Sequence, residues 1–123
     1  MTAGQQKPSK AIKAVFYRTA RGNEPVREFL NGLTAADRKN IGGDIGQVEW
    51  KWPKVNKPLG DSFGRGLYEV RSSLRDRIAR VYFGVEKAQM ILLHGVIKKT
   101  QKADKADIDL ARDRLKDWKA NVP

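Results

Sequence analysis

Between Ala11 and Tyr17 apolar positions alternate with polar ones. Ile12, Ala14 and Phe16 share one side, and Ala11, Lys13, Val15 and Tyr17 share the other, which predicts a strand. Arg18–Gly22 reads as a turn, and Asn23 is placed to cap a helix whose first turn holds Glu24 and Pro25. Val26, Phe29, Leu30 and Leu33 then repeat with helical spacing. A second helix is announced by Thr34 and Asp37, a capping box with Asp in place of Glu. Ile41, Ile45, Val48 and Trp52 form its apolar stripe, and Pro53 closes it. Gly42, Gly43 and Gly46 weaken it by about 1 kcal/mol each relative to Ala, so packing has to hold it.

Residues 53–66, rich in Pro and Gly, read as a loop. Three extended runs follow at hairpin spacing, Leu67–Ser72, Arg77–Val85 and Ala88–Ile97, predicting an antiparallel meander. Asp104 can cap a last helix with Ile108, Ala111, Leu115 and Trp118 on its inner face. The order is β-α-α-β-β-β-α. It predicts an α+β fold: a small antiparallel sheet with helices on one face, in a single domain over residues 11–120 behind an N-terminal tail at residues 1–10.

Charge changes this picture most. The 123 residues hold 25 Lys and Arg against 14 Asp and Glu, a net +11. The excess is spread along the chain, +5 over residues 1–61 and +6 over residues 62–123. A folded domain with such a field attracts polyanions. Charge alone does not choose among nucleic acid, an anionic membrane surface and an acidic protein, although the footprint favours nucleic acid. No run is long enough to span a membrane. Lys7, Lys10 and Lys13 have no apolar stretch behind them, so no secretory signal is expected and the protein is expected in the cytoplasm. Without cysteine, thiol catalysis and cysteine-based metal sites are excluded.

The strands carry the candidate chemistry. Leu67, Glu69 and Arg71 share one face of the first run, opposite Tyr68, Val70 and Ser72. In the second, Arg77, Ala79, Val81 and Phe83 alternate with Ile78, Arg80 and Tyr82. In the third, Met90, Leu92, His94, Val96 and Lys98 alternate with Ile91, Leu93, Gly95, Ile97 and Lys99. Basic groups gather at the strand ends: Arg71, Arg75, Arg77, Arg80, Lys98, Lys99 and Lys102. They are either solvated ends that discourage edge pairing or the walls of one basic concavity. Arg80, in mid-run, needs an anionic partner or a cleft, and Glu69 and Glu86 are the internal partners available. His94, the only histidine, is on a strand where a packed, hydrogen-bonded side chain is the ordinary reading. Gly95 beside it signals a bulge or a close backbone approach. There is no Walker loop, no GxGxxG, no nucleophile elbow and no cluster at metal spacing. No cofactor or metal is expected, and Arg, Lys, Tyr, Glu and His suit phosphate chemistry.

The ordered set Lys57-Pro-Leu-Gly, Gly66-Leu-Tyr-Glu-Val-Arg71, Arg80-Val-Tyr-Phe83, Leu92-Leu-His-Gly95 and Lys98-Lys-Thr-Gln-Lys102 resembles the RelE/ParE toxin superfamily. Together with Gly22-Asn-Glu-Pro-Val and Phe29-Leu30, it looks most like the HigB-like, phage-derived branch. The likeness covers roughly residues 12–118. It implies the toxin of a type II toxin–antitoxin pair, a ribosome-dependent endoribonuclease in which a ribose 2′-hydroxyl attacks the adjacent phosphate. By that resemblance Arg71 and Arg80 stabilise the phosphate, and Lys98 and Lys99 aid charge relief or proton transfer. Tyr68 stacks on a base, and Arg75, Arg77 and Lys102 hold the RNA backbone. RelE itself has a C-terminal Tyr as an acid–base group and a basic residue where Glu69 stands. Here the last helix has no Tyr, so Glu69, Lys98 and His94 contend for the proton. The implied partners are the ribosome with its mRNA and a HigA-like helix-turn-helix antitoxin, with operator DNA reached only through the antitoxin complex and no membrane involved. Two other readings fit the same fold: a ParE-like gyrase inhibitor and a nucleic-acid-binding module without chemistry. The mechanism implied by the resemblance has positions 71, 80 and 98–99 meeting in one pocket; side chains scattered over unrelated surfaces or locked in internal ion pairs would speak against it.

Overall fold

The computed structural model describes residues 9–57, 59–99 and 102–121. Most of the tail expected at residues 1–10 lies outside them, as do Pro58, Thr100 and Gln101 of the quoted motifs. The elements run β1 (Lys13–Phe16), α1 (Pro25–Asn31), α2 (Ala35–Lys51), β2 (Gly60–Ser62), β3 (Leu67–Leu74), β4 (Arg77–Glu86), β5 (Gln89–Lys98) and α3 (Lys105–Asn121). The α+β class and the two N-terminal helices and one C-terminal helix stand as read from the sequence.

Side-chain caps mark the starts of α2 and α3. The Asp37 N–H donates to Thr34 Oγ1 at 3.2 Å, and the Ala106 N–H donates to Asp104 Oδ1 at 3.0 Å. The start of α1 differs from expectation. Glu24 is its N-cap, without a side-chain cap bond, and Asn23 instead donates its N–H to Thr19 Oγ1. Pro25 opens the helix, where its missing N–H costs nothing. Despite its glycines, α2 holds because Ile41, Ile45 and Val48 are buried against the sheet.

The sheet order is β1-β5-β4-β3-β2. The meander β3-β4-β5 is antiparallel, as its hairpin spacing predicted, but β1 lies parallel to β5, pairing Lys13 with Gln89 and Phe16 with Leu92. The sheet is therefore mixed, because the chain after β1 crosses through two helices before returning. A short strand, β2, also forms inside the expected loop and pairs Gly60, Asp61 and Ser62 with Val70, Glu69 and Tyr68.

Helices cover both faces of the sheet rather than one. Val26, Ile41, Ile45 and Val48 of α1 and α2 pack with Val70, Ala79, Val81, Phe83 and Met90. On the opposite face Ala111 and Leu115 of α3 pack with Leu67, Tyr82, Ile91 and Leu93. Both faces of β4 and β5 hold apolar residues, which is what a twice-covered sheet requires.

A bulge resets the alternation along β5. Tyr82 pairs with His94 but Phe83 pairs with Leu92, which leaves Leu93 as the extra residue. Leu93, His94, Val96 and Lys98 thus fall on the α3 face, while Gly95 and Ile97 join Met90 and Leu92 on the other. Gly95 also admits the Phe29 ring, since a Cβ there would lie 2.4 Å from Phe29 Cδ2.

Candidate nucleic-acid interface

Register brings the key charges together. Arg71 pairs with Arg80 and Glu69 with Tyr82 across β3 and β4, all on the α3 face. Glu69 and Arg80 side chains are each only 1% exposed. The Arg80 guanidinium donates from Nη1 to Glu69 Oε1 at 2.7 Å and to Oε2 at 3.0 Å. Arg71, 17% exposed, donates from Nη2 to Glu69 Oε2 at 3.0 Å. One buried carboxylate thus bridges two guanidiniums, and a buried charge needs such pairing.

Above this cluster opens a cavity of about 450 Å³, walled by Lys57, Asp61, Phe63, Arg71 and Lys102, with Glu69 and Arg80 at its base. Lys57 Nζ lies 3.5 Å from Asp61 Oδ2, and Arg71 Nη2 lies 3.8 Å from the same oxygen. The Asp61 carboxyl is held below the usual carboxylate range, first by the Ser62 N–H and then by Lys57 and Arg71. An adjoining cleft of about 310 Å³ shares Arg71 and adds Arg77 and Lys99, with Asp76. The two clefts together present six basic and three acidic side chains.

The remaining predicted residues are placed elsewhere. Lys98 lies 2.7 Å from Asp104 and 3.1 Å from Asp107, and these carboxylates raise its pKa. His94 Nε2 contacts Asp107 Oδ1 at 2.8 Å, and its ring stacks on Tyr82 at 5.7 Å. Register puts His94 two strands from Glu69, about 10 Å away. Tyr68 is on the opposite face, packed edge-on to Trp52 at 4.9 Å and stacked on Phe83 at 5.5 Å. Arg75 is exposed in the β3–β4 turn, and Arg77 is tied to Asp37 of α2 at 2.9 Å. The single pocket expected for positions 71, 80 and 98–99 therefore does not form. Glu69, Arg71, Arg80 and Lys102 come together, with both guanidiniums paired to Glu69, while Lys99 and Arg77 line the next cleft and Lys98, held by Asp104 and Asp107, stays apart with His94 and Tyr68. Lys57, Asp61 and Phe63 were not singled out. Their positions follow from the course of a loop held by β2, by backbone bonds to β3 and by Arg112. Among the described residues no group of three His, Asp or Glu side chains gathers at metal-binding distance, and no helix is long and apolar enough to cross a membrane.

The profile of the family described as Phage derived protein Gp49-like matches residues 28–116, from α1 to α3 and well over half of the chain. The chain belongs to this Gp49-like family. The family is RelE/toxin-like. A search of curated proteins returns no match. In this Gp49-like chain the matched region contains β2 to β5 and so the whole charged cluster, whereas β1 precedes it.

Proposed function

We propose that this Gp49-like protein is the toxin of a type II toxin–antitoxin pair and cleaves mRNA on the ribosome as a HigB-like endoribonuclease. The observation that carries the reading is the basic cavity built over a buried Arg80–Glu69–Arg71 bridge. Guanidinium groups fixed before substrate arrives lose no entropy when phosphate binds, and they relieve charge on a pentacoordinate phosphorus. Arg71 and Lys102 meet the phosphate, while Glu69 and Arg80 act from below as positioning residues that hold the Arg71 guanidinium in place. The 2′-oxygen attacks phosphorus and the bond to the 5′-oxygen breaks, leaving a 2′,3′-cyclic phosphate and a 5′-hydroxyl. Asp61, ionised at neutral pH, accepts the 2′-hydroxyl proton, and Lys57 or Lys102 supplies one to the departing 5′-oxygen. Lys98 and His94, turned toward Asp104 and Asp107, brace α3 and take no part in the proton transfer.

The protein acts in the cytoplasm with ribosome and mRNA, and its antitoxin covers the cavity with an acidic segment. The test is a reconstituted translation reaction with mRNA ends mapped by primer extension. The parent protein is expected to give cleavage ends bearing cyclic phosphate. Arg71→Ala lowers the rate at least a hundredfold while the fold is retained, and a 2′-O-methyl group at the cleaved position blocks the reaction. Intact mRNA together with accumulation of gyrase-linked DNA breaks would overturn the proposal in favour of a gyrase inhibitor.

A further inference from the structure

We infer that Phe63 is a stacking platform for the nucleobase that flanks the phosphate bound at Arg71. The inference rests on the nuclease reading and adds to it a base-recognition residue.

Phe63 forms one wall of the cavity that holds Arg71, Arg80 and Lys102, and it is partly exposed there. One side of its ring rests against Tyr82, with centroids 5.8 Å apart and planes inclined by 32°. Its backbone is fixed with unusual thoroughness for a loop residue. The Phe63 N–H donates to the Leu67 carbonyl at 2.9 Å. Arg112 of α3 donates from Nη2 to the Phe63 carbonyl at 2.7 Å and from Nη1 to the Gly64 carbonyl at 3.1 Å. The next three residues, Gly64, Arg65 and Gly66, all have left-handed backbone, with φ of 79°, 52° and 77°. That turn reverses the chain directly after Phe63 and leads into β3, setting the aromatic wall and the Arg71 guanidinium on opposite ends of one short hairpin.

A ring held this firmly beside a phosphate-sized basic cavity has the two parts of a single-strand binding site, a cationic seat and an aromatic face. Tyr68, the aromatic residue expected for this role from the sequence, is spent on the other face of the sheet against Trp52 and Phe83. Stacking needs a π-face and tolerates any base, so Phe63 contributes affinity and orientation rather than a sequence code.

The experiment uses short single-stranded RNA carrying 2-aminopurine, at low salt, with the whole chain. The variants are Phe63→Leu, which keeps apolar bulk against Tyr82, Phe63→Trp and Arg71→Ala. With the parent protein the fluorophore is expected to be quenched. Phe63→Leu abolishes quenching and weakens binding about ten- to a hundredfold with the salt slope unchanged. Phe63→Trp keeps the quenching. Arg71→Ala weakens binding and reduces the salt slope by about one phosphate contact. Should Phe63→Leu bind and quench like the parent while Arg71→Ala weakens binding, the platform is overturned and the phosphate site stands. No binding by the parent, or no effect of Arg71→Ala, overturns both.

Discussion

Replacing Glu69 by Gln removes one charge and almost no volume, so it isolates what the buried carboxylate does. Glu69 and Arg80 are each 1% exposed, and Arg71 is 17% exposed. After the substitution one uncharged amide oxygen is left to accept where the carboxylate accepted at 2.7, 3.0 and 3.0 Å, and an NH2 donor faces the guanidiniums in place of the other oxygen. Asp61, 3.8 Å from Arg71, leaves that guanidinium a nearby carboxylate. Removing one partner of a buried ion pair costs about 3–5 kcal/mol, because the other charge is left uncompensated. With about 2 cal/mol/K of unfolding entropy per residue, a chain of 123 residues loses about 4 °C of Tm per kcal/mol, so the expected drop is about 12–20 °C. Differential scanning calorimetry measures it, with urea denaturation as a check that unfolding stays two-state. The second arm adds Arg80→Met to Glu69→Gln. Removing both charges together should recover at least half of the loss, since an apolar replacement of a buried pair is often neutral. A Tm within about 4 °C of the parent for Glu69→Gln alone would refute the argument, as would a double variant no better than the single one.

Three other outcomes are expected. Gly95→Ala drives a methyl group into the Phe29 ring, 2.4 Å from Cδ2 and 2.8 Å from Cε2. It should cost about 1–3 kcal/mol in urea denaturation, with Phe29→Leu restoring part of the loss. Tyr17, which donates to Asp117 at 2.6 Å, has its pKa pushed up to about 12, first by burial and then by Asp117. An unfolded tyrosine ionises near 10, so this bond's stabilisation is complete below about pH 10 and is lost as pH rises toward about 12. Tyrosinate absorbance during a pH titration checks this, and a Tyr17→Phe variant should lose the corresponding late phase. Asp107→Asn takes the carboxylate from His94 and one of two from Lys98, which keeps Asp104. It should lower stability by about 1–3 kcal/mol and increase amide exchange in α3, while leaving RNA cleavage intact. Loss of cleavage with the fold preserved would return those residues to the chemistry.

The helices and the meander were legible because each rests on local signals. The Thr34 cap, the Ile41–Ile45–Val48 stripe and the spacing of the three extended runs each act over a few residues. What could not be read is set by tertiary closure. Nothing local reports that β1 pairs with β5, or that α3 takes the opposite face from α1 and α2. The β5 bulge moved His94 and Lys98 to the α3 face, because a single extra residue inverts every following side chain. The site divided in the same way. Alternation along β3 and β4 put Glu69, Arg71 and Arg80 on one side, and cross-strand register joined them. Lys57, Asp61 and Phe63 sit in a turn-rich stretch whose path depends on backbone bonds to β3 and on Arg112, so their proximity to Arg71 left no periodic trace.

The pairing of β1 with β5 also bears on synthesis. Lys13–Phe16 has no strand neighbour until Gln89–Leu92, more than seventy positions later, leave the ribosome. The hydroxyl of Tyr17 waits longer still, for an acceptor a hundred positions downstream. Such distant closures come late in assembly. A growing chain therefore carries β1 unseated while both N-terminal helices and the next three strands are made, and this edge of the sheet closes only once β5 has emerged.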